Sequence, residues 1–264
     1  DGKGGCCSLE DVNDARSVCL KLGIKHFLFD SRERFQKRVV DYFSESYKKG
    51  RTPNPCVACN TFIKFDELEY YAQEVNAEKF ATGHYAKVVK TNGRPYIAAA
   101  DDPKKDQSYF LLGVTEEKLN KLLLPLGDYT KAQIREIATS LNLPVSQKPD
   151  SQEVCFIPDN DYRRFLKQEA GLTDEAGDIV DESGNILGKH SGIHHFTVGQ
   201  KKGLHALGLP HYTVLRMDAD KRQVVVGFDQ SLFSEGLVFE GEAPRADTEL
   251  VDLSVKIRSR ATHV

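Results

Sequence analysis

Phe62–Ala86 reads FIKFDELEYYAQEVNAEKFATGHYA, and this stretch decides the fold class. Its first part spaces apolar residues at helical intervals, and KFATGHYA at its end is typical of a short strand followed by a turn. Upstream, helical patterns alternate with a second strand-like run, IKHFLF, at residues 24–29. This alternation of helices and short strands up to about residue 90 predicts a parallel α/β sheet.

The second half of the chain has a different pattern. Asn92-Gly93 separates two strand-like runs and predicts a hairpin. From Gly177 onward the sequence indicates turns and strands. We therefore predict an α/β domain over residues 1–158 with a helical insertion around 115–145, a central domain over 159–232, and the start of a β-barrel over 233–264.

Composition excludes several classes of protein. The chain has 264 residues, of which 40% are hydrophobic and 28% charged, with a net charge of −3. No apolar run approaches the roughly 18 residues of a membrane-spanning helix, so we expect no membrane association. The charge argues against nonspecific coating of nucleic acid, although a local basic patch stays open. Six unevenly spaced cysteines favour functional thiols in a reducing, cytoplasmic compartment over a disulfide scaffold.

The cysteines are the strongest candidates for chemistry. Cys56 and Cys59 follow a proline-rich loop just ahead of a helix, where the helix dipole stabilises a thiolate. Cys155 lies in the run DSQEVCFIP, and its distance from the other two thiols does not follow from spacing. On the residues alone, CxxC fits half of a zinc site or a redox pair. Cys19 lies on an apolar helical stripe and is expected in the core.

Six motifs in order carry a family resemblance. They are NPCVACN, TGHYA, KDQSYFL, DSQEVCFIP, FTVGQKKGL and VKIR. Together they resemble the tRNA-specific 2-thiouridylases, which transfer sulfur to C2 of the wobble uridine, position 34, of tRNA with ATP and a persulfide donor. The resemblance implies a PP-loop nucleotide-binding domain, a central tRNA-binding domain and a C-terminal β-barrel.

The resemblance also implies that this chain is a fragment. The family's phosphate-binding SGGxDS loop lies ahead of the region matching Asp1, and the barrel stops early at Val264. The chain has one methionine, Met217. We therefore expect the nucleotide-binding domain and the barrel to be incomplete here, and ATP to bind poorly to residues 1–264.

By motif match, Cys155 carries the persulfide and Cys59 is the nucleophile that resolves it, through a transient Cys59–Cys155 disulfide bond. Many family members have Asp at the position of Cys56. With cysteine there, the three thiols Cys56, Cys59 and Cys155 could instead hold a [4Fe-4S] cluster, and the sequence leaves both routes open. No other metal site is expected.

The remaining site residues are matched position by position. Gly83 matches a glycine that contacts ATP, which is bound with Mg²⁺. Residues matched to tRNA contacts are Asn54, Pro55, Cys56, His84, Lys105, Asp106, Gln107, Arg258 and Ser259. Lys201 and Lys202 are further candidates for phosphate contacts. The implied partners are tRNA and a sulfur-donor protein, either a cysteine desulfurase or a sulfur relay protein.

Two alternatives stay open. Another PP-loop enzyme acting on a different tRNA base would share the α/β half, although not both cysteine motifs. A zinc-stabilised or iron–sulfur-stabilised RNA-binding module without catalytic activity would also retain clustered thiols.

Overall fold

The computed structural model describes residues 9–148, 154–157, 159–233, 236 and 257–258. Contacts divide the chain into two compact units. The first comprises Asp1–Val40, Asn54–Asp161 and Ile257–Ala261; the second comprises Asp41–Pro53, Tyr162–Lys256 and Thr262–Val264. Within the described ranges, no helix has the length and apolar character needed to cross a membrane.

The α-helices, in chain order, are Leu9–Leu22 (α1), Arg32–Phe35 (α2), Asp41–Lys48 (α3), Pro55–Cys59 (α4), Phe65–Glu74 (α5), Glu116–Lys121 (α6), Lys131–Ser140 (α7) and Tyr162–Gln168 (α8). The strands are Phe80–Ala81 (β1), Ala86–Thr91 (β2), Arg94–Ala99 (β3), Leu122–Leu123 (β4), Gly177–Val180 (β5), Ile186–His190 (β6), Thr213–Asp218 (β7) and Gln223–Gly227 (β8). Two π-helical segments span Gln36–Val40 and Asn60–Lys64, and short 3-10 turns include Ser108–Leu111 and Ile193–His195.

The core of the first unit lies around a parallel strand pair. β1 pairs with β4, with Phe80 opposite Leu122 and Ala81 opposite Leu123. Helix α5 contributes Phe65, which is fully buried against this pair. The remaining buried members of the cluster are Ala86, Leu111, Leu119 and Leu124. The prediction of an α/β fold with a parallel sheet is therefore confirmed.

The predicted hairpin is also confirmed. β2 and β3 are antiparallel, with Thr91 opposite Arg94 across Asn92-Gly93. Both turn residues have positive φ, 51° for Asn92 and 79° for Gly93, as a two-residue hairpin loop with a primed turn requires.

Two sequence predictions near the start of the chain are wrong. The run Ile24–Phe29 is not a strand: no described segment pairs with it, and Phe27 and Leu28 are 63% and 65% exposed. Helix α1 forms as expected, but it buries none of its residues, and Cys19 is only half-buried. The apolar stripe is at most half-buried, so helical periodicity alone did not place Cys19 in a core.

The second unit is built on a mixed four-stranded sheet. Its strand order is β6-β5-β8-β7, with β5 parallel to β8 and the other pairs antiparallel. Ile179, Val214, Val224 and Val226 are fully buried on one face. The β-rich character predicted after Gly177 is confirmed, and the described strands form an open sheet, not a closed barrel.

Candidate functional site

The loop that carries the CxxC motif is fixed at its entry to helix α4. Asn54 is extended, with φ −110° and ψ 93°, and its side chain accepts a hydrogen bond of 3.2 Å from the Val57 amide. Pro55 at the first helical position has the preset φ that a helix start requires. The two thiols, three residues apart, differ in exposure: Cys56 is exposed and Cys59 is buried, with 9% of its surface accessible.

Cys59 lies where the segment of the CxxC motif meets the segment around Cys155. It forms a small apolar cluster with Val39 and Ile63, and Phe156 packs against this cluster. Because Phe156 directly follows Cys155, the structure brings the Cys155 segment to Cys59. Cys155 itself is half-buried. The described cysteines form no disulfide, so the Cys59–Cys155 bond stays a prediction.

Both helical segments beside Cys59 are π-helical. Asn60–Lys64 continues directly from α4, and Gln36–Val40 supplies Val39 to the same cluster. π-helical turns are rare and often occur at functional sites. Asn60 is 3% exposed; its Nδ2 donates to the Phe110 carbonyl at 3.1 Å, and its Oδ1 accepts no hydrogen bond among the described residues. Sequence reasoning missed Asn60, although a polar residue inside a helix was the available signal.

A cavity of about 620 Å³ adjoins the Cys59 cluster, because Ile63 contributes to both. The residues that line it come from four separated segments: Phe29, Ser31, Ile63, Lys64, Glu67, Leu68, Tyr71, Thr82, Gly83, His84 and Gln107. The rings of Phe29 and Tyr71 stack with centroids 3.4 Å apart. The cavity therefore offers aromatic surface, polar groups and a glycine, a combination suited to a flat heteroaromatic ligand.

Nothing in the fold requires glycine at position 83. A Cβ built there would meet only Leu126 Cδ1 at 3.7 Å, an ordinary contact. The missing side chain instead leaves open space at the cavity wall. The predicted ATP contact at Gly83 therefore lies at a cavity of suitable size.

His84 is the electrostatically unusual group of this cavity. It is 9% exposed, its ring lies nearly parallel to that of Phe65, and its Nδ1 is 2.8 Å from Thr82 Oγ1. Burial, with a smaller contribution from the Lys64 charge, lowers the pKa of His84 from 6.5 to about 4. Its imidazole is consequently neutral at physiological pH and can donate or accept a hydrogen bond, but it supplies no charge for phosphate.

The predicted tRNA segment Lys105–Gln107 is held firmly in place. Gln107 Oε1 accepts from the Tyr85 amide at 2.9 Å, and the Gln107 amide donates to the Tyr85 carbonyl at 2.7 Å. Asp106 accepts hydrogen bonds from the Ala100 amide and from the amide and hydroxyl of Ser108. The observed contacts of Asp106 and Gln107 are thus structural, and they fix the loop that presents the half-buried Lys105.

The basic candidates differ in their surroundings. Tyr109 donates to the Ile257 carbonyl at 3.1 Å, which brings the exposed Arg258 close to the Lys105–Gln107 loop. In the second unit, Lys201 pairs with Asp229, whereas Lys202 is exposed. Ser259 lies outside the described residues.

The residues that could bind a metal ion are not the thiols. Among the described residues, one group gathers ligand atoms closely enough for a single ion, and it consists of Asp174, His194 and His195. The three thiols do not form such a group, so the structure offers no support for an iron–sulfur cluster.

Comparisons with known proteins agree with this architecture. Residues 1–159 match the family model described as the tRNA methyl transferase HUP domain, and residues 163–228 match that of the tRNA methyl transferase PRC-barrel domain. The part predicted as a central domain is therefore similar to a PRC-barrel domain.

Individual relatives are similar over most of the chain. The tRNA-specific 2-thiouridylase MnmA of Carboxydothermus hydrogenoformans is 48% identical over 89% of this chain, which spans 65% of that relative. The proteins of the same name from Clostridium acetobutylicum and Geobacter metallireducens are each 44% identical over 98% and 97% of the chain, which spans 74% and 70% of them. The chain thus covers about two thirds to three quarters of these relatives. Both the family models and the identities confirm the resemblance drawn from the six motifs: the chain belongs to the family of the tRNA-specific 2-thiouridylases.

Proposed function

We propose that this chain acts in the ATP-dependent transfer of sulfur to C2 of the wobble uridine, position 34, of tRNA, forming 2-thiouridine with release of AMP and diphosphate. The relatives are named for this product. The observation that carries the proposal is the packing of Phe156, next to Cys155, against the Cys59 cluster beside the Gly83 cavity.

The proposed chemistry divides the reaction into activation and sulfur transfer. The O2 oxygen of uracil is a poor leaving group, so it first attacks the α-phosphorus of ATP, bound with Mg²⁺, and diphosphate leaves. The terminal sulfur of a Cys155 persulfide then attacks C2, and the oxygen departs with AMP. Attack of the Cys59 thiolate on Cys155 Sγ breaks the S–S bond, leaves sulfur on C2 and forms a Cys59–Cys155 disulfide. A dithiol reductant restores both thiols.

The proposed binding sites follow from the same segments. The adenosine of ATP occupies the Gly83 cavity, whose stacked aromatic rings and neutral His84 suit a nucleobase. The target uridine, flipped out of the anticodon, enters at the loop of Asn54, Pro55 and Cys56, where the exposed Cys56 leaves room for a base. His84, Lys105, Asp106, Gln107, Arg258 and Ser259 are retained as proposed tRNA contacts, although the contacts observed for Asp106 and Gln107 are structural.

The domain division and the setting of the reaction are part of the proposal. We retain boundaries at 1–158, 159–232 and 233–264, a cytoplasmic location, and a cysteine desulfurase or sulfur relay protein as the donor that loads Cys155. The half-buried state of Cys155 supports loading by a protein donor, because its sulfur is not sealed in a core.

The descriptions of the two family models name a tRNA methyl transferase. The residues of this chain nevertheless favour sulfur transfer over methyl transfer. Cys59 lies in a cluster that adjoins the cavity, and a thiol that carries and releases a second sulfur needs a nearby second thiol. Cys59 and the segment of Cys155 meet this need.

The test is a thiolation assay with radiolabelled or mass-resolved tRNA and matched serine variants of the full-length protein, since the chain covers about two thirds to three quarters of its relatives. We expect Cys155→Ser to form no 2-thiouridine and Cys59→Ser to accept sulfur on Cys155 without turning over. Both should bind tRNA as the unsubstituted chain does, because one uncharged thiol contributes little to an interface dominated by phosphate contacts. Cys19→Ser, on helix α1 and outside the Cys59 cluster, is the control and should stay active.

Cys56→Asp separates the two sulfur routes. A persulfide enzyme should retain activity with this change, whereas an enzyme that depends on three thiolates around iron should lose it. Formation of 2-thiouridine by Cys155→Ser would overturn the proposed reaction.

A further inference from the structure

Two adjacent histidines in the second unit face one carboxylate. His194 and His195 lie in the 3-10 turn Ile193–His195 that follows β6. The Oδ1 atom of Asp174 is 3.3 Å from His194 Nε2 and 3.0 Å from His195 Nε2. All three ligand atoms lie within 4.8 Å of one another. We propose that Asp174, His194 and His195 bind one divalent transition-metal ion, and that the ion is zinc.

The spacing matches tetrahedral coordination. Zinc bonds of about 2.0–2.1 Å to nitrogen and oxygen place neighbouring ligand atoms about 3.3 Å apart at the tetrahedral angle. The two measured separations from Asp174 Oδ1 are within a few tenths of an ångström of this value. The third separation, between the ligand atoms of the two histidines, is at most 4.8 Å, and closing it to the tetrahedral spacing is the movement that binding requires.

An unsatisfied nitrogen atom, Nε2 of His194, points to a missing ligand. His194 is 4% exposed, yet its Nε2 makes no hydrogen bond with any described residue, although it lies close to Asp174 Oδ1. His195 Nε2, by contrast, already shares a hydrogen bond of 3.0 Å with Asp174 Oδ1. An unpaired buried polar atom costs about 1–3 kcal/mol, so such atoms are rare unless a ligand or water satisfies them. A metal ion would take the lone pair of His194 Nε2 directly.

A doubly protonated histidine pair does not explain the arrangement. The two rings have centroids 4.1 Å apart, and two imidazolium charges at that distance would share a single carboxylate. Neutral imidazole, by contrast, is the form in which a histidine side chain binds a metal ion.

Neighbouring residues hold the three ligands in place. Lys167 Nζ is 3.0 Å from Asp174 Oδ2, which leaves Oδ1 directed at the histidines. Arg163 donates to the His195 carbonyl at 2.9 Å. A Cβ built at Gly192 would lie 2.5 Å from His194 Cε1, so the absence of a side chain there is what allows the His194 ring its position. Such supporting contacts are typical of metal sites.

The ligand types select the ion. Two imidazole nitrogens and one carboxylate oxygen suit zinc and related transition metals, whereas Mg²⁺ and Ca²⁺ prefer oxygen ligands throughout. Three protein ligands leave a fourth position for water. His194 also lines a cavity of about 930 Å³ in the same unit, which gives the ion and the water a route from solvent.

The experiment is a titration of the metal-free full chain with Zn²⁺ and, in parallel, Co²⁺. Cobalt separates this site from the thiols, because nitrogen and oxygen ligands give visible tetrahedral bands without the ultraviolet thiolate charge-transfer band. We expect the unsubstituted chain to bind one equivalent of Co²⁺ that gives these visible bands. His195→Gln and Asp174→Asn should each weaken it by at least about 100-fold, since removing a direct ligand costs more than the 10–100-fold loss that supporting residues give. The exposed-histidine variant His205→Gln and Cys59→Ser should retain it.

Failure of a variant to fold would not leave the question open. A crystal of the unsubstituted chain soaked in Zn²⁺ should show anomalous density between Asp174, His194 and His195. Density at the thiols alone, or cobalt bands unchanged in both His195→Gln and Asp174→Asn, would overturn the zinc site. The thiolation proposal is tested separately, because it does not involve these residues.

Discussion

Acid should destabilise the first unit through His84. The pKa of this histidine falls to about 4 in the folded chain, mainly because of burial. In the unfolded chain it returns to about 6.5. Between these two values the unfolded state binds a proton that the folded state does not. The contribution of neutral, buried His84 to the free energy of unfolding is therefore fully present above pH 6.5 and is lost as the pH falls toward 4.

The size of the effect follows from the shift. Each pKa unit corresponds to about 1.36 kcal/mol, so His84 accounts for a loss of about 3 kcal/mol between pH 6.5 and 4. His84→Gln keeps a hydrogen-bonding side chain and removes the titration. The substituted chain should consequently show a shallower decline in the free energy of unfolding across this range, by up to about 1.4 kcal/mol per pH unit.

Urea unfolding at pH steps from 8 to 4 measures the difference. Circular dichroism is the appropriate signal because the chain has no tryptophan, and hydrogen exchange of peptides from Phe62–Ala86 isolates the first unit. The pKa values of His190 and His194 are also lowered by burial, but both residues are present in the two proteins and their contributions cancel. Equal pH slopes for the unsubstituted chain and His84→Gln would refute the assignment of a buried neutral His84.

Two further predictions concern ligands of the proposed reaction. Gly83→Ala should leave the melting temperature unchanged or slightly raised, because the added Cβ meets only Leu126 at 3.7 Å. The same change should weaken adenosine binding by about 5- to 150-fold, which corresponds to about 1–3 kcal/mol of overpacking against the ligand. Ligand-observed NMR measures this affinity. Unchanged adenosine affinity in Gly83→Ala would contradict the assignment of the adenosine site to this cavity. Binding of tRNA should fall steeply between about 50 and 200 mM salt, and Lys202→Gln should reduce the slope of log K against log salt by about 0.9. Lys201→Gln is the matched comparison and should reduce it less, since Lys201 is already paired with Asp229.

Local signals predicted the elements that local interactions determine. The Asn92-Gly93 hairpin forms because both turn residues adopt positive φ regardless of the rest of the fold. A glycine just after a helical pattern is a local stop signal, and Gly23 ends helix α1 with φ 67° and a hydrogen bond from the Ile24 amide to the Cys19 carbonyl.

Elements that depend on distant partners were not predictable in this way. Within the helical insertion predicted around 115–145, helix α6 ends at Lys121, because Leu122–Leu123 pairs as a strand with Phe80–Ala81 about forty residues earlier. The strand expected at residues 24–29 failed for the opposite reason, since no described segment pairs with it. Periodicity describes a side-chain face, and it does not identify what covers that face.

The candidate site shows the same division. Motifs identified Cys59, Gly83 and His84, but the rings of Phe29 and Tyr71 carry no motif and reach the cavity from separate segments. The metal-ligand group was missed because Asp174 lies about twenty residues before the histidines and gives no ligand spacing along the chain.

The different exposures of Cys155 and Cys59 fit separate roles in the proposed reaction. A carrier of persulfide sulfur must meet a donor protein and then the tRNA, and the half-buried Cys155 is accessible enough for both. A resolving thiol needs to meet only the carrier. Cys59, at 9% exposure and in contact with the cluster on which Phe156 packs, is shielded from dissolved oxidants while remaining beside the segment that bears Cys155. Asn54, Pro55 and the π-helical turn after Cys59 hold the Cys59 thiol in place. The position of Cys59 in the fold therefore selects Cys155 as its reaction partner in the proposed reaction.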